Sequence, residues 1–163
     1  DFLYFIRGTE IARQMKIIAE NREHNTWELF DESPVFRVLT PTQRTQLQGI
    51  MNRIEYDAGV LIHEEGNECT HFYLQESGRI GVTRRQRAIV NTLRGAWLGR
   101  VHSTPMRTRN WFSLQTLEPS IVYAVDIMEF YRFLRRNPGV FLILRQMRIR
   151  QQLVTERVQE NKE

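Results

Sequence analysis

The sequence predicts an α+β fold: an antiparallel β-roll of jelly-roll type, flanked by N-terminal helices and two C-terminal helices. Three patterns predict it. Between about residues 52 and 125, brief β-rich runs alternate with turn clusters at short, regular intervals. Before that stretch the apolar residues recur at helical spacing. After Asp126 helical spacing returns, and Asn137-Pro138-Gly139 divides it into two segments.

In chain order, Phe2, Ile6, Met15, Ile18 and Ala19 alternate with Arg, Lys and Glu, the pattern of a helix with a break at Gly8-Thr9. Thr26 is the expected N-cap of a second, short helix that turns Leu29 and Phe30 inward. Ser33-Pro34 then turns the chain, so that residues 1–33 read as a helical lead-in and 34–163 as the main domain. Thr40-Pro41 opens a third helix with Pro41 at the first helical position and Leu47, Ile50 and Met51 on its buried side. Strands are expected at Ile54 and Tyr56, 60–62, 72–74, Ile80 and Val82, and 88–93. They are separated by Asp57-Ala58-Gly59, Glu65-Gly66-Asn67, Ser77-Gly78 and a charged turn at 84–87. Strands resume at 111–117 and 121–125, joined by Glu118-Pro119-Ser120. Asp126 caps the helix that follows, and the last helix is expected from Pro138 to about Gln159, placing the C-terminal helices at about 126–160. On that last helix Val140, Ile143, Leu144 and Met147 share one face, and Leu142, Ile149 and Leu153 form a second stripe. Two stripes need two partners, the roll and a second copy of the helix, which predicts weak self-association.

The chain has 163 residues, 41% hydrophobic and 26% charged, enough for one folded domain with a helical extension. No apolar run approaches the roughly 20 residues of a membrane span, so no membrane insertion is expected in this segment. The first residue is Asp1, and a segment of a larger protein is expected. A single cysteine, Cys69, cannot form an internal disulfide and fits a reducing, cytoplasmic setting, as the cytosolic part of a membrane or ciliary protein or otherwise. The net charge is +4, but the arginines are scattered, and no nucleic-acid surface is expected. His24, His63, His71 and His102 lack metal-ligand spacing. His102-Ser103 has no third orienting group, and Glu64-Glu65 falls in a turn. Neither catalysis, a metal nor a cofactor is expected.

The chemistry concentrates in residues 95–112, GAWLGRVHSTPMRTRNWF. Gly95 and Gly99 let a ligand approach the main chain, and Arg100, Arg107 and Arg109 offer forked donors suited to phosphate. Such a segment is either an anion pocket or a basic surface loop between two strands.

Over about residues 34–158 this order of elements resembles the cyclic-nucleotide-binding domain family. Its Pro-x-Phe-x-x-Leu opening is matched by Pro34, Phe36 and Leu39. Its Tyr-x-x-Gly-x-x-Ile-x-x-Glu-Gly run is matched by Tyr56, Gly59, Ile62, Glu65 and Gly66, and its hairpin by Phe72, Tyr73, Gly78, Ile80 and Val82. The two final helices look like those of the catabolite activator protein and of channel and kinase regulatory modules. The resemblance implies a regulatory domain whose phosphate cassette reads Phe-Gly-Glu and, about ten residues on, Arg-Thr-Ala or Arg-Ser-Ala. In that cassette the glutamate holds the ribose hydroxyl and the arginine the cyclic phosphate.

Here the cassette departs from its family. Leu98-Gly99 is followed by Arg100 and Val101 where the glutamate and its neighbour belong. Arg109 falls at the phosphate arginine, with Arg107 as a second candidate; Asn110 replaces Thr or Ser, and Trp111 replaces the small alanine. Trp111 is either a core residue of the strand or partly fills the pocket. Exchanging a carboxylate for a guanidinium removes a charged hydrogen bond of roughly 1.5–3 kcal/mol, about 10 to 100-fold in affinity. The expected function is a regulatory homology domain of a larger protein that binds cAMP or cGMP weakly or not at all. It would act through other domains of its parent or through another small anion. A genuine cAMP or cGMP sensor with an altered cassette, or the effector half of a transcription factor, are the alternatives.

Overall fold

The computed structural model describes residues 2–99, 108–147 and 155–156. Helix α1 (Phe2–Glu23) leads into α2 (Thr26–Glu32) and α3 (Pro41–Gln48). Strands β1 (Met51–Tyr56), β2 (Leu61–His63), β3 (His71–Ser77), β4 (Ile80–Arg84), β5 (Arg87–Thr92) and β6 (Trp97–Leu98) follow. Then come β7 (Ser113–Thr116), β8 (Ser120–Asp126), α4 (Ile127–Arg136), α5 (Pro138–Gln146) and β9 (Thr155–Glu156). The strands form two antiparallel sheets, one ordered β1-β8-β3-β6 and the other β2-β7-β4-β5-β9.

The first sheet is covered on both faces, which explains the unbroken apolar runs in β3 and β8. Phe72, Leu74, Trp97, Tyr123 and Val125 pack against Leu29, Phe30, Phe36, Phe130 and Leu134 of the helical side. Tyr73, Val122 and Ala124, on the alternate face, meet Ile80, Val82, Leu98 and Leu114 inside the roll. Trp97 is the hinge of the helix-side core, with ring centroids 4.9 Å from Phe36, 5.6 Å from Phe72 and 5.0 Å from Phe130.

The turns and caps follow local chemistry. Thr40 and Gln43 form a reciprocal capping box with Pro41 at the start of α3. Asp126 accepts from the backbone N–H of Met128 (2.9 Å) and Glu129 (3.1 Å) to start α4. Gly59, Gly66 and Gly78 hold positive φ in the expected turns, as do Arg85 and Gln86 in the β4–β5 hairpin.

Three expectations need correction. Helix α1 runs through Gly8-Thr9 without a break, since one glycine weakens a helix by only about 1 kcal/mol. Thr26 is the first helical residue rather than the cap: Asn25 takes the cap position in the left-handed conformation. The Thr26 hydroxyl is buried and accepts a hydrogen bond from Gln48 Nε2. The last helix ends at Gln146, because Met147 is extended (ψ 129°), and two short strands, β6 and β9, had no sequence signal. Of the apolar stripe on that helix, Leu142 is exposed, while Ile149 and Leu153 lie outside the described residues.

The lead-in docks through its second half. Asn21 is buried and donates Nδ2 to the carbonyls of Gln48 (2.7 Å) and Met51 (3.1 Å), which fixes α1 to the junction of α3 and β1. Buried Arg44 donates to the carbonyls of Trp27, Arg37 and Leu39 and pairs with Asp31 at 2.7 Å, closing the loop between α2 and α3.

Candidate functional site

Gly99 closes β6 over the helix-side core. A Cβ there would lie 2.8 Å from Phe72 Cγ and 2.9 Å from Cδ1, so only glycine fits. The backbone that enters the cassette is thereby pressed onto β3. Arg100, Val101 and Arg107 lie outside the described residues.

On its far side the cassette returns through a backbone ladder against the turn between β2 and β3. The Cys69 N–H donates to Thr108 O (2.8 Å), Asn110 N–H to Asn67 O (2.7 Å) and Gly66 N–H to Asn110 O (2.9 Å). Arg109 is bridged to Glu68 across this ladder. Its exposed guanidinium curls back along the strand and donates Nη1 to Gly66 O at 2.8 Å. Asn110 is buried and donates Nδ2 to Glu64 O (3.0 Å). The turn is tied to the next hairpin as well: Glu65 accepts from the Arg85 N–H at 2.8 Å, and its own N–H donates to Ser113 Oγ at 2.9 Å.

Trp111 and Phe112 precede β7 rather than belonging to it. Trp111 is half-buried, stacked on Phe112 (centroids 5.8 Å, 17°), with the Arg84 guanidinium 4.1 Å from the centre of its ring. Of the expected site residues, the structure therefore brings Arg109, Asn110 and Trp111 to one end of the roll. It packs Gly99, which follows β6, against Phe72 of β3. Sequence reasoning missed Arg84, and it placed Glu65 in a family turn without seeing that it helps clamp this end. The contacts of both were unreadable, because they depend on the register between β4 and β7 (Thr83 opposite Ser113).

Inside the same end, His63 packs edge-on against Tyr73 with centroids 5.8 Å apart. Burial lowers its pKa to about 4, against the opposing hydrogen bond with the Phe112 backbone. Burial also pushes the Tyr73 hydroxyl up to about 12. Two grooves, of about 260 and 240 Å³, lie beside α1 and are lined, among the described residues, by none of the cassette. Among the described residues no group of three or more His, Cys, Asp or Glu could hold a metal ion. No helix among them is long and apolar enough to cross a membrane.

Comparison with known proteins places this geometry. The C-linker/CNBHD of zELK channels, crystallised in the presence of cAMP, has a similar fold at 15% identity and a TM-score of 0.63 over 74% of this chain and 62% of that one. The catabolite activator protein of Thermus thermophilus is similar at 22% identity and a TM-score of 0.61, over 69% of this chain and 55% of that one. The cAMP-bound PfPKA-R is similar at 16% identity and a TM-score of 0.63, over 79% and 48%. The chain thus spans less than two thirds of each of these three structures. A search of curated proteins finds no match. The family model for the cyclic nucleotide-binding domain matches residues 53–137, just over half of the chain, from β1 to the end of α4. The chain belongs to the cyclic nucleotide-binding domain family.

Proposed function

We propose that this chain is a regulatory domain of a larger cytoplasmic protein or cytosolic region, with a degenerate cassette that binds cAMP and cGMP weakly or not at all. The observation that carries the reading is Arg109. The residue at the phosphate-arginine position is exposed and spends a donor on the Gly66 carbonyl. Two sequence features point the same way: Arg100 stands in place of the ribose-binding carboxylate, and bulky Trp111, held under Arg84, replaces a small residue. A phosphate would have to draw Arg109 off its carbonyl, and the ribose would then meet a second cation instead of an acceptor. The role is regulatory rather than catalytic, exerted through other domains of the parent protein or through a small anion other than a cyclic nucleotide.

A second reading, a genuine nucleotide sensor, is favoured by one observation: Gly99 still seats the cassette backbone against Phe72 as a bound ligand would need. Of the three structures compared above, PfPKA-R is described as cAMP-bound. Isothermal titration calorimetry separates the two readings. We expect no heat, or a dissociation constant no tighter than high micromolar, for either nucleotide. Arg100→Glu combined with Trp111→Ala should tighten binding more than either change alone, and Arg109→Ala should abolish that gain. A nanomolar constant for the unaltered chain would establish the sensor instead.

A further inference from the structure

Helices α4 and α5 each give one face to the helix-side core and the other to solvent. On α4, Phe130, Tyr131, Phe133 and Leu134 are buried. Its outward residues, Met128, Arg132, Arg135 and Arg136, fall at i, i+4, i+7 and i+8, a single stripe along the helix. On α5, Val140 and Leu144 are buried, and the outward stripe is apolar, with Leu142 58% exposed and Ile143 38%.

Charge on this surface is one-sided. From Ile127 to Met147 there are four arginines, at 132, 135, 136 and 145, against one acid, Glu129, whereas the net charge of the whole chain is only +4. Helix α3, tied to the corner between the two helices by Gln43 and Gln46, adds no acid. Arg44, Arg53 and Arg94 each hold a carboxylate partner. Among the described residues Arg132, Arg135 and Arg136 have neither an ion pair nor a hydrogen bond from the guanidinium, and Arg145 lies over Phe141, 5.8 Å from the centre of its ring.

Exposed apolar side chains beside unpaired guanidiniums select the occupant. A second copy brings the same excess of arginine, and a two-fold contact through these faces sets like charge against like. Gly139 stands one turn before Leu142 and Ile143, and a Cβ there would meet nothing within 4 Å. That notch lets another backbone come close, a feature a lipid surface does not use. Arginines at i, i+3 and i+4 match carboxylates at the same spacing on a facing helix, each guanidinium offering a fork to a carboxylate.

We propose that the outward faces of α4 and α5 form a docking surface for an acidic amphipathic helix of a partner protein or domain. Its carboxylates pair with Arg132, Arg135 and Arg136, and its apolar residues cover Leu142 and Ile143. Both helices are anchored in the core by their inner faces, so the surface is a fixed platform. None of these residues belongs to the cassette, and the docking surface stands or falls apart from the nucleotide reading.

Fluorescence anisotropy on the full 163-residue chain tests this. The probe is a labelled synthetic peptide of about 16 residues, long enough to be helical, with Glu at i, i+3, i+4 and i+7 on one face and Leu on the adjoining face. We expect micromolar binding, weakened about 10-fold when Gln replaces every Glu of the peptide and about 10-fold by Arg135→Glu with Arg136→Glu in the chain. Leu142→Ser should weaken it about 5-fold. A peptide with Lys in place of Glu should bind the double variant better than the unaltered chain, a gain that misfolding cannot produce. Absence of binding, or equal affinity for the Glu and Gln peptides, overturns the proposal. Two other results overturn the choice of occupant. One is adsorption to phosphatidylcholine vesicles with about 30% phosphatidylserine that the double variant loses, in the absence of peptide binding, which assigns the face to a membrane. The other is self-association in sedimentation that Leu142→Ser abolishes, which assigns it to a second copy.

Discussion

The two sheets of this roll are built from similar strands but live under different constraints. The sheet β1-β8-β3-β6 is covered by helices on one face and by the roll interior on the other, and Phe72, Tyr73, Leu74, Gln75 and Val122 to Val125 are all buried in succession. In the second sheet one face is wet: Leu61, Ile89 and Leu117 are about half exposed, and β7 alternates buried with open positions. Stability is thus concentrated in the first sheet. The irregular backbone, the bulge at Ile89 and the cassette return are concentrated at the second, where a change of conformation disturbs little core.

The sharpest test of that contrast is a truncation in each sheet. Trp97→Ala empties the centre of three aromatic contacts and should cost about 3–5 kcal/mol in urea unfolding. Ile89→Thr in the wet sheet should stay within about 0.5 kcal/mol. Comparable losses at the two sites would erase the distinction.

A pH effect should come from the roll interior. The folded-state pKa of His63 is about 4, below its ordinary value of 6.5, so between these values the unfolded chain takes up a proton that the folded chain resists. Stability contributed by this group is full above about pH 6.5 and is lost as the pH falls towards 4, by about 3 kcal/mol in total. His63→Phe should remove that part of the pH dependence. Parallel stability curves for the variant and the unaltered protein would refute the assignment.

A smaller effect is expected where the cassette meets the covered sheet. Gly99→Ala drives a methyl group into the Phe72 ring, which Trp97 and Phe130 prevent from retreating. The cost should be about 1–3 kcal/mol, with the second sheet's amide exchange unchanged. A neutral substitution would show that β6 can lift away from β3.

The same contrast explains what the sequence could show. The covered strands, the Thr40-Pro41 and Asp126 helix starts and the glycine turns were legible because each rests on local chemistry or a simple period. Helix α1 was misread at Gly8 because the intrinsic cost of one glycine is too small to break a 22-residue helix, and Thr26 because its hydroxyl serves a distant residue, Gln48, instead of its own helix. At the candidate site, Arg109, Asn110 and Trp111 could be picked out by spacing, but not where their side chains would go. Arg109 turns to a carbonyl 43 residues earlier in the chain, and Trp111 lies under a guanidinium from β4, contacts decided by the register of the second sheet. The end of α5 at Gln146 was hidden for a related reason: its apolar stripes run on in the sequence beyond the point where the backbone turns extended.

Asn137, at the corner between α4 and α5, gives the molecule a gearing. Its Nδ2 donates to Phe133 O and Gln46 Oε1 at 2.9 Å each, and its Oδ1 accepts from Gln43 Nε2 at 3.3 Å. Swinging the corner while α3 stays in place sacrifices both bonds to the glutamines; tilting corner and α3 together sacrifices neither. Helix α3 is in turn bound to the lead-in, where Gln48 grips Thr26 and Trp27 and its carbonyl holds Asn21. The low-cost motion of the C-terminal corner is therefore one that carries the N-terminal helices with it, so that a displacement at one end of the chain is delivered to the other as a tilt.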